Sequence, residues 1–518
     1  MKRVQVASGW IRRLLPRTIL MPRANPWWLA GLLLFASQAQ SSSPRYISLA
    51  ECIQSALGHN LDIQVERYSP EIARYTLQGA YAPYDPTLQL SARKSSAFYP
   101  SDFDPPRTSI DDAFQLTTDA YASGVRGYLP FGLSYGLRSH ADFLDAAVFL
   151  PREVGFTNEW STAAVLTLRQ PLLRDFWVDA TRIKILVAKK DLKIAQEALR
   201  LRVMKTVTEV QVAYANLVFG REEVKARESA LEVARQLASE SHQRVLAGTL
   251  TPLDEKQAQA TLATNEAELL AARQEFERLQ EVLKLLITDD LEAWKDSVLD
   301  PSDDLSMPTK PYNREESWRR AVAQRPELEE ARLTLEKRQG EARYRKNQSF
   351  PRLDVVGGYG SQSIDNSLGE TLSQAGTIRH SIYNVGMIFS MPLSNTSARN
   401  RYKMAQAESE QSGLRFRRLQ EQVLAEVERA GRLTQTTSDR LGAARQARER
   451  ADLALSLESQ RLTAGESTFF EVLQMQRNAT RARSVEIRAQ ADHYQAWAQL
   501  AFSEGSTLQS NHLEFEIK

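Results

Sequence analysis

The sequence predicts a mainly α-helical chain with a smaller β part, built as two tandem copies of one plan. Three observations predict it. Residues 180–247 hold no proline, one glycine (Gly220) and apolar residues at coiled-coil spacing. A tip motif ending at Gly248 recurs ending at Gly465, 217 positions later. Segments of strict period-two alternation precede each long helical stretch.

At the N-terminus, residues 27–36 form an apolar run of ten, preceded by Arg12, Arg13, Arg17 and Arg23. Ser37 and Ala39 follow at the spacing a signal peptidase reads, so residues 1–39 are expected to be an export signal starting at Met1 or Met21. The run is too short to cross a bilayer, which takes about 20 apolar residues.

In the long stretch, Leu192, Ala195, Leu199, Val203, Val207, Val210, Tyr214 and Leu217 follow steps of three and four, a coiled-coil seam. One helix over 180–247 would run ~100 Å at about 1.5 Å per residue. Ala247-Gly248-Thr249-Leu250-Thr251-Pro252 then supplies a glycine for the left-handed residue after a helix and a proline for the first turn of the next. The spacing predicts a hairpin tip there. The returning helix carries Leu262, Leu269, Phe276 and Leu283 seven apart, with Asn265, Ala272, Leu279 and Leu286 as the companion row.

The plan then repeats. Gln243–Gly248 matches Gln460–Gly465, and Asp254 corresponds to Glu471 at the same offset of 217. Glu51–Asp62 parallels Glu316–Glu327 at an offset of 265, which Pro86-Thr87-Leu88 and Pro351-Arg352-Leu353 keep. The offsets differ by 48, so the first copy carries about 48 extra residues between its lead-in helices and its coiled coil. The expected organisation is a first repeat over 40–288, a connector over 289–313 with Pro301, Pro308 and Pro311, a second repeat over 314–505 with a β-hairpin at 351–392, and a tail at 506–518.

The alternating segments read as strands. Leu353, Val355, Gly357 and Tyr359 alternate with Asp354, Val356 and Gly358, and Leu88, Leu90 and Ala92 alternate with Gln89, Ser91 and Arg93. Val385, Met387, Phe389 and Met391 show the same period, as do Ala164, Leu166 and Leu168. The pattern fits a half-buried soluble sheet and a lipid-facing barrel wall equally. The extra residues alternate too, at Phe114, Leu116, Thr118 and Ala120 and at Leu133, Tyr135 and Leu137, as further wall strands or as an extended loop.

Composition excludes several function classes. Lys plus Arg number 66 against 64 Asp plus Glu, a net +2 that argues against nucleic-acid binding. Mean hydropathy of -0.42 argues against a bundle of membrane helices. The single cysteine, Cys52, leaves no disulfide framework, and the six histidines are scattered away from metal-ligand spacing. No nucleotide loop, catalytic triad or paired carboxylates stand in supporting context, so neither an enzyme nor a cofactor is expected. Asp289-Asp290 and Asp303-Asp304 read as solvated turns.

Leu49-Ala50-Glu51 through Ala56-Leu57 and Asn60, Arg169-Gln170-Pro171-Leu172-Leu173, the Ala-Gly tips at 248 and 465, and Glu471-Val472-Leu473, in this duplicated order over about residues 45–505, resemble the TolC family of outer-membrane efflux and secretion channels. The resemblance implies a fold that is mainly α with transmembrane β: a homotrimer with four strands per chain in one twelve-stranded β-barrel, and helical hairpins forming a periplasmic α-barrel. It also implies outer-membrane lipid around the barrel, a periplasmic adaptor and an inner-membrane pump as partners, and passive conduction. In that family the second tip narrows the periplasmic entrance. Glu471 matches an acidic position there, Gln474 stands where a second acid is expected, Leu462 where some members have a tyrosine, and Ser467 where an arginine can stand. Gly248, Thr249, Gly465 and Glu466 fall where the adaptor docks. Read from the residues alone, Glu471 is equally a first-turn carboxylate favoured by the helix dipole. The other classes open to the chain are a periplasmic coiled-coil adaptor, which normally has one hairpin, and a structural scaffold without a pore.

Overall fold

The computed structural model describes residues 45–99, 102–104, 109–111, 114–149, 154–248, 250–295, 297–304, 312–375 and 380–513. The expected export signal, Thr249 and the end of the tail lie outside them. The chain opens with β1 (Arg45–Ile47), α1 (Leu49–His59) and α2 (Leu61–Ala80), then a 3-10 turn at Ala82–Tyr84. The strands β2 (Thr87–Tyr99), β3 (Asp102–Asp104), β4 (Ser109–Asp111), β5 (Phe114–Tyr128), β6 (Ser134–Phe149) and β7 (Val154–Pro171) follow. Then come α3 (Ala180–Leu246), α4 (Pro252–Ile287) and β8 (Leu299–Pro301). The second half holds α5 (Arg314–Gln324), α6 (Pro326–Gln348), β9 (Arg352–Asp365), α7 (Leu368–Ala375), β10 (Ser381–Ser390), α8 (Thr396–Thr463), α9 (Phe469–Glu504) and α10 (Thr507–Ser510).

The duplication is visible element by element. Both bounds of α1 and α5 differ by 265, and so do the starts of β2 and β9. Both bounds of α4 and α9 differ by 217. Each long helix is packed along its length by two shorter ones, α3 by α4 and α2, and α8 by α9 and α6. The seam read from the sequence is the packed face: Leu199, Val203, Val207, Val210, Tyr214 and Leu217 are buried, as are Leu269, Leu279 and Leu283 across from them.

The main core gathers where α1, α3, α4 and the paired β1 and β8 meet. Tyr214 is its largest fully buried side chain; its hydroxyl donates to Ile47 O and accepts from Asp303 N, both at 3.2 Å. Cys52 is wholly buried beside it, and burial pushes its thiol up to about 12, which makes it inert. The connector is therefore no plain linker: β8 pairs in parallel with β1, and Asp303, expected as a solvated turn, accepts the Leu49 backbone N–H at 2.8 Å.

Where α4 ends, Asn60 joins it to α2. Its Oδ1 accepts from Ile63 N at 3.2 Å, capping α2, while its Nδ2 donates to Leu286 O in the last turn of α4 at 3.0 Å. At the corresponding place in the second copy Arg325 is the N-cap residue of α6. It is buried and paired to Glu327 (2.8 Å) and Glu426 (2.6 Å).

The β part is one antiparallel sheet in the order β10-β9-β7-β6-β5-β2, with β3 and β4 pairing as a small separate ribbon. The sheet has six strands where the resemblance gives four. In the second copy β9 pairs directly with β10; in the first, β2 and β7 are separated by β5 and β6. The extra residues of the first copy are these two strands: they are hydrogen-bonded into the sheet along their whole length and do not form an extended loop. Its two faces differ. One presents Leu88, Leu90, Leu137, Leu166, Leu168, Tyr383, Val385, Met387 and Phe389, all exposed in the single chain. The other presents Thr87, Gln89, Arg126, Arg138, Thr167, Arg169 and Asn384. Arg169 and Arg352 both hold the buried Asp354, at 2.7 and 2.6 Å.

Candidate functional site

The two tips end their helices in the same way. Gly248 and Gly465 have φ of +74° and +78°, the left-handed region that glycine enters freely. Gly248 N donates to Val245 O at 3.0 Å and Gly465 N to Leu462 O at 3.2 Å. At the second tip Glu466 N also donates to Arg461 O at 2.9 Å, which completes a Schellman motif. A Cβ at either glycine would meet nothing within 4 Å, so the requirement there is conformational, not steric.

The next helices start with reciprocal caps. Thr251 Oγ1 accepts from Asp254 N at 3.3 Å while Asp254 Oδ2 accepts from Thr251 N at 3.1 Å. Thr468 and Glu471 repeat the exchange at 3.4 and 3.2 Å. Both are capping boxes, each satisfying two otherwise unpaired N–H groups. Glu471 also accepts from the Ser467 hydroxyl at 2.8 Å. That bond, then the Thr468 N–H, holds its carboxyl below the usual carboxylate range, so it is charged at neutral pH.

Ser467 lies between two acids, since Glu458 is also within reach of its hydroxyl. Arg461 pairs with Glu458 at 3.3 Å and donates to Glu466 O at 3.3 Å, which closes the loop on its α8 side. Leu462 does not point into open space: it packs on a small core of Ala258, Phe469 and Leu473, which joins the two tips. Gln474 is exposed one turn beyond Glu471. The structure therefore brings Leu462, Ser467, Glu466 and Glu471 into one tip, with Gly248 in the neighbouring one.

The sequence reading passed over three parts of this site. The joint between tips through Ala258 crosses 211 positions to Phe469, and no local pattern announces it. Glu458 lies in α8, nine positions before the Ser467 hydroxyl that reaches it. Phe470 stands 54% exposed beside Glu471; its place in Phe469-Phe470 was the available signal. Among the described residues no group of three metal-ligating side chains occurs, and no helix is long and apolar enough to cross a membrane.

The sequence model of the outer membrane efflux protein family matches residues 132–287 and 318–506, more than half of the chain. None of the curated proteins matches it. Among solved structures, the outer-membrane channel OprN is similar at a TM-score of 0.62 and 19% identity, over 88% of this chain and 90% of that one. The CmeC outer membrane channel of Campylobacter jejuni gives 0.63 and 16%, over 89% and 86%. The outer membrane protein VceC of Vibrio cholerae gives 0.61 and 16%, over 88% and 96%. At these identities the likeness is one of fold.

Proposed function

Because the chain belongs to the outer membrane efflux protein family, channels of the outer membrane that extend into the periplasm, we propose that it is the exit duct of a tripartite efflux pump or type I secretion system. It takes substrate from an inner-membrane pump and a periplasmic adaptor and conducts it passively to the exterior. Residues 1–39 direct its export, the repeats over 40–288 and 314–505 build wall and tube, and 289–313 connects them.

The observation that carries the reading is the sheet with two free edges. Among the described residues β2 pairs only with β5, and β10 only with β9. Six alternating strands leave these edges running in opposite directions, so β2 of one copy continues antiparallel onto β10 of the next. Lipid does not tolerate unpaired backbone groups, so the wall must close, and copies of the chain are the available closure. The helices give a second reason. Leu61, Val65, Tyr68, Ile72 and Tyr75 of α2 follow heptad spacing and are each 56–70% exposed, a stripe that no described element of the chain covers. A homotrimer covers both features. Detergent-solubilised protein is expected to run as a trimer by light scattering and to fractionate with outer membranes. A water-soluble monomer in the periplasm would instead support an adaptor or scaffold.

In this reading Gly248, Thr249, Gly465 and Glu466 contact the adaptor, and Glu471, Gln474, Ser467 and Leu462 border the pore entrance. Gly465→Val forces a β-branched residue to positive φ at a cost of about 1–2 kcal/mol. Adaptor crosslinking is expected to weaken while barrel insertion is retained; undiminished crosslinking and efflux would refute the docking role.

Three copies of Glu471 around one entrance would draw cations. Glu471→Gln removes three charges from the trimer with little change in volume. Cation over anion selectivity in planar bilayers is expected to fall, and block by multivalent cations to weaken. The control is Asp254→Asn, which alters the equivalent capping box at the first tip. An effect from Asp254→Asn alone would place the first tip, not the second, at the entrance.

A further inference from the structure

We propose that the inserted β5–β6 hairpin is part of the membrane wall, so that the assembled channel closes with eighteen strands instead of twelve, and that this hairpin lines the lumen with unpaired arginines selecting anionic solutes. The proposal rests on the homotrimer above.

Four observations carry the wall assignment. β5 is paired over Phe114–Tyr128 to β6 and over Phe114–Arg126 to β2, and β6 is paired over Ser134–Phe149 to β7, so the hairpin is laddered on both sides. Its turn reaches the helix-side rim of the sheet: a Cβ on Gly132 (φ +90°) would stand 3.2 Å from Asp175 O and 3.4 Å from Pro171 Cγ, where β7 ends. The hairpin therefore spans the height of β7. Near the turn its alternation is also in phase with its neighbours. Val125 and Leu137 lie in register with Leu88 and Leu166 on the apolar face, while Arg126 and Arg138 share the other face with Gln89 and Thr167. An exterior ribbon would have no need to keep that phase. Finally, a hairpin adds two strands, so the edges remain antiparallel and closure is preserved.

Six strands from each of three chains make eighteen. With ~4.8 Å between strands and a ~40° tilt, that wall is ~36 Å across its backbone, against ~24 Å for twelve. Barrels of this size hold water, which explains why their inner faces are polar.

The arginines give this lumen a sign. Arg126 sits directly across from Gly136, and Arg138 across from Gly124, so each has room to extend over the sheet. As diagonal neighbours on one face they are ~7–8 Å apart at the backbone. Among the described residues neither has an ion-pair partner, unlike Arg169, which is tied to Asp354 at 2.7 Å. Both line a trough of about 880 Å³ with Gln89, Thr167, Asn384 and one carboxylate, Asp85. In a trimer this belt holds six guanidinium groups, each able to grip a carboxylate or phosphate by two N–H bonds.

Electron cryo-microscopy of the trimer in lipid discs is expected to count eighteen strands. Twelve strands in an intact trimer would overturn the wall assignment alone, whereas failure to form a trimer would remove the reading it rests on. Cysteine labelling gives a second route, since the native Cys52 is buried. In vesicles, Arg126→Cys and Arg138→Cys are expected to react with a water-soluble maleimide, and Val125→Cys and Leu137→Cys to be protected by lipid. Labelling of all four would place the hairpin outside the wall. For the belt, selectivity is read from reversal potentials in a KCl gradient, in the Glu471→Gln background to silence the entrance. There the chloride over potassium permeability ratio is expected to fall by a factor of about two to ten in the R126Q/R138Q variant. An unchanged ratio would overturn the anion selection.

Discussion

Tyr214→Ala is expected to lower the stability of the chain by about 3–5 kcal/mol, the range for truncating a large aromatic in a packed core. Tyr214 is 1% exposed, and its hydroxyl bridges β1 at Ile47 O and the connector at Asp303 N. The truncation opens a cavity among α1, α3 and α4 and unties the connector at once. Thermal melts followed by the helical circular dichroism signal measure the total. Tyr214→Phe separates the contributions: it keeps the volume and is expected to cost only about 1–2 kcal/mol, for leaving Ile47 O and Asp303 N unpaired. Equal losses in the two variants would mean that packing around the ring contributes nothing.

Arg325→Ala is expected to cost about 2–3 kcal/mol. Breaking a buried ion pair costs more, but Glu426 is 49% exposed and is rehydrated when its partner goes. The joint at Arg325 is tight: Gly505 caps α9, and a Cβ there would stand 2.9 Å from Gln324 C. The first copy suggests the rescue. Asn60 does the corresponding work there with a side-chain cap, so Arg325→Asn is expected to recover part of the loss by capping α6. An asparagine variant no more stable than the alanine one would show that the ion pairs alone hold the joint.

These two residues mark where the sequence stopped being legible. The long helices could be read because their evidence is local: heptad spacing, Gly248 and Gly465 after the last turn, and Pro252 in the first turn of the next helix. Asn60 and Arg325 have ordinary local surroundings, and what defines them lies far along the chain, at Leu286 O and Glu426. The same holds for the strands. Alternation identified Leu88–Ala92 and Leu353–Tyr359 as strands, but pairing is a long-range property that alternation does not encode. The count of six therefore emerged only with the ladders, although the 48 surplus residues pointed to the copy that carries the addition. At the tip, the backbone conformation of the two glycines followed from their type. Leu462 shows the limit: its neighbour Ala258 belongs to the other hairpin, so nothing nearby distinguishes a lining residue from one that holds the tips together.

The matched limb lengths turn the helical part into a ruler. α3 and α8 have 67 and 68 residues, and α4 and α9 have 36 each. At about 1.5 Å per residue the long limbs measure ~100 Å and the short ones ~54 Å. Shortening one limb by a single residue would swing its apolar stripe about 100° away from the partner it packs on. Removing seven residues returns the stripe to within about 20° of its place and shifts the tip by about 10 Å. The ruler is therefore graduated in heptads. A change of reach has to be cut from both limbs of both hairpins together, or the two tips end on different levels and the Ala258–Phe469 joint between them opens.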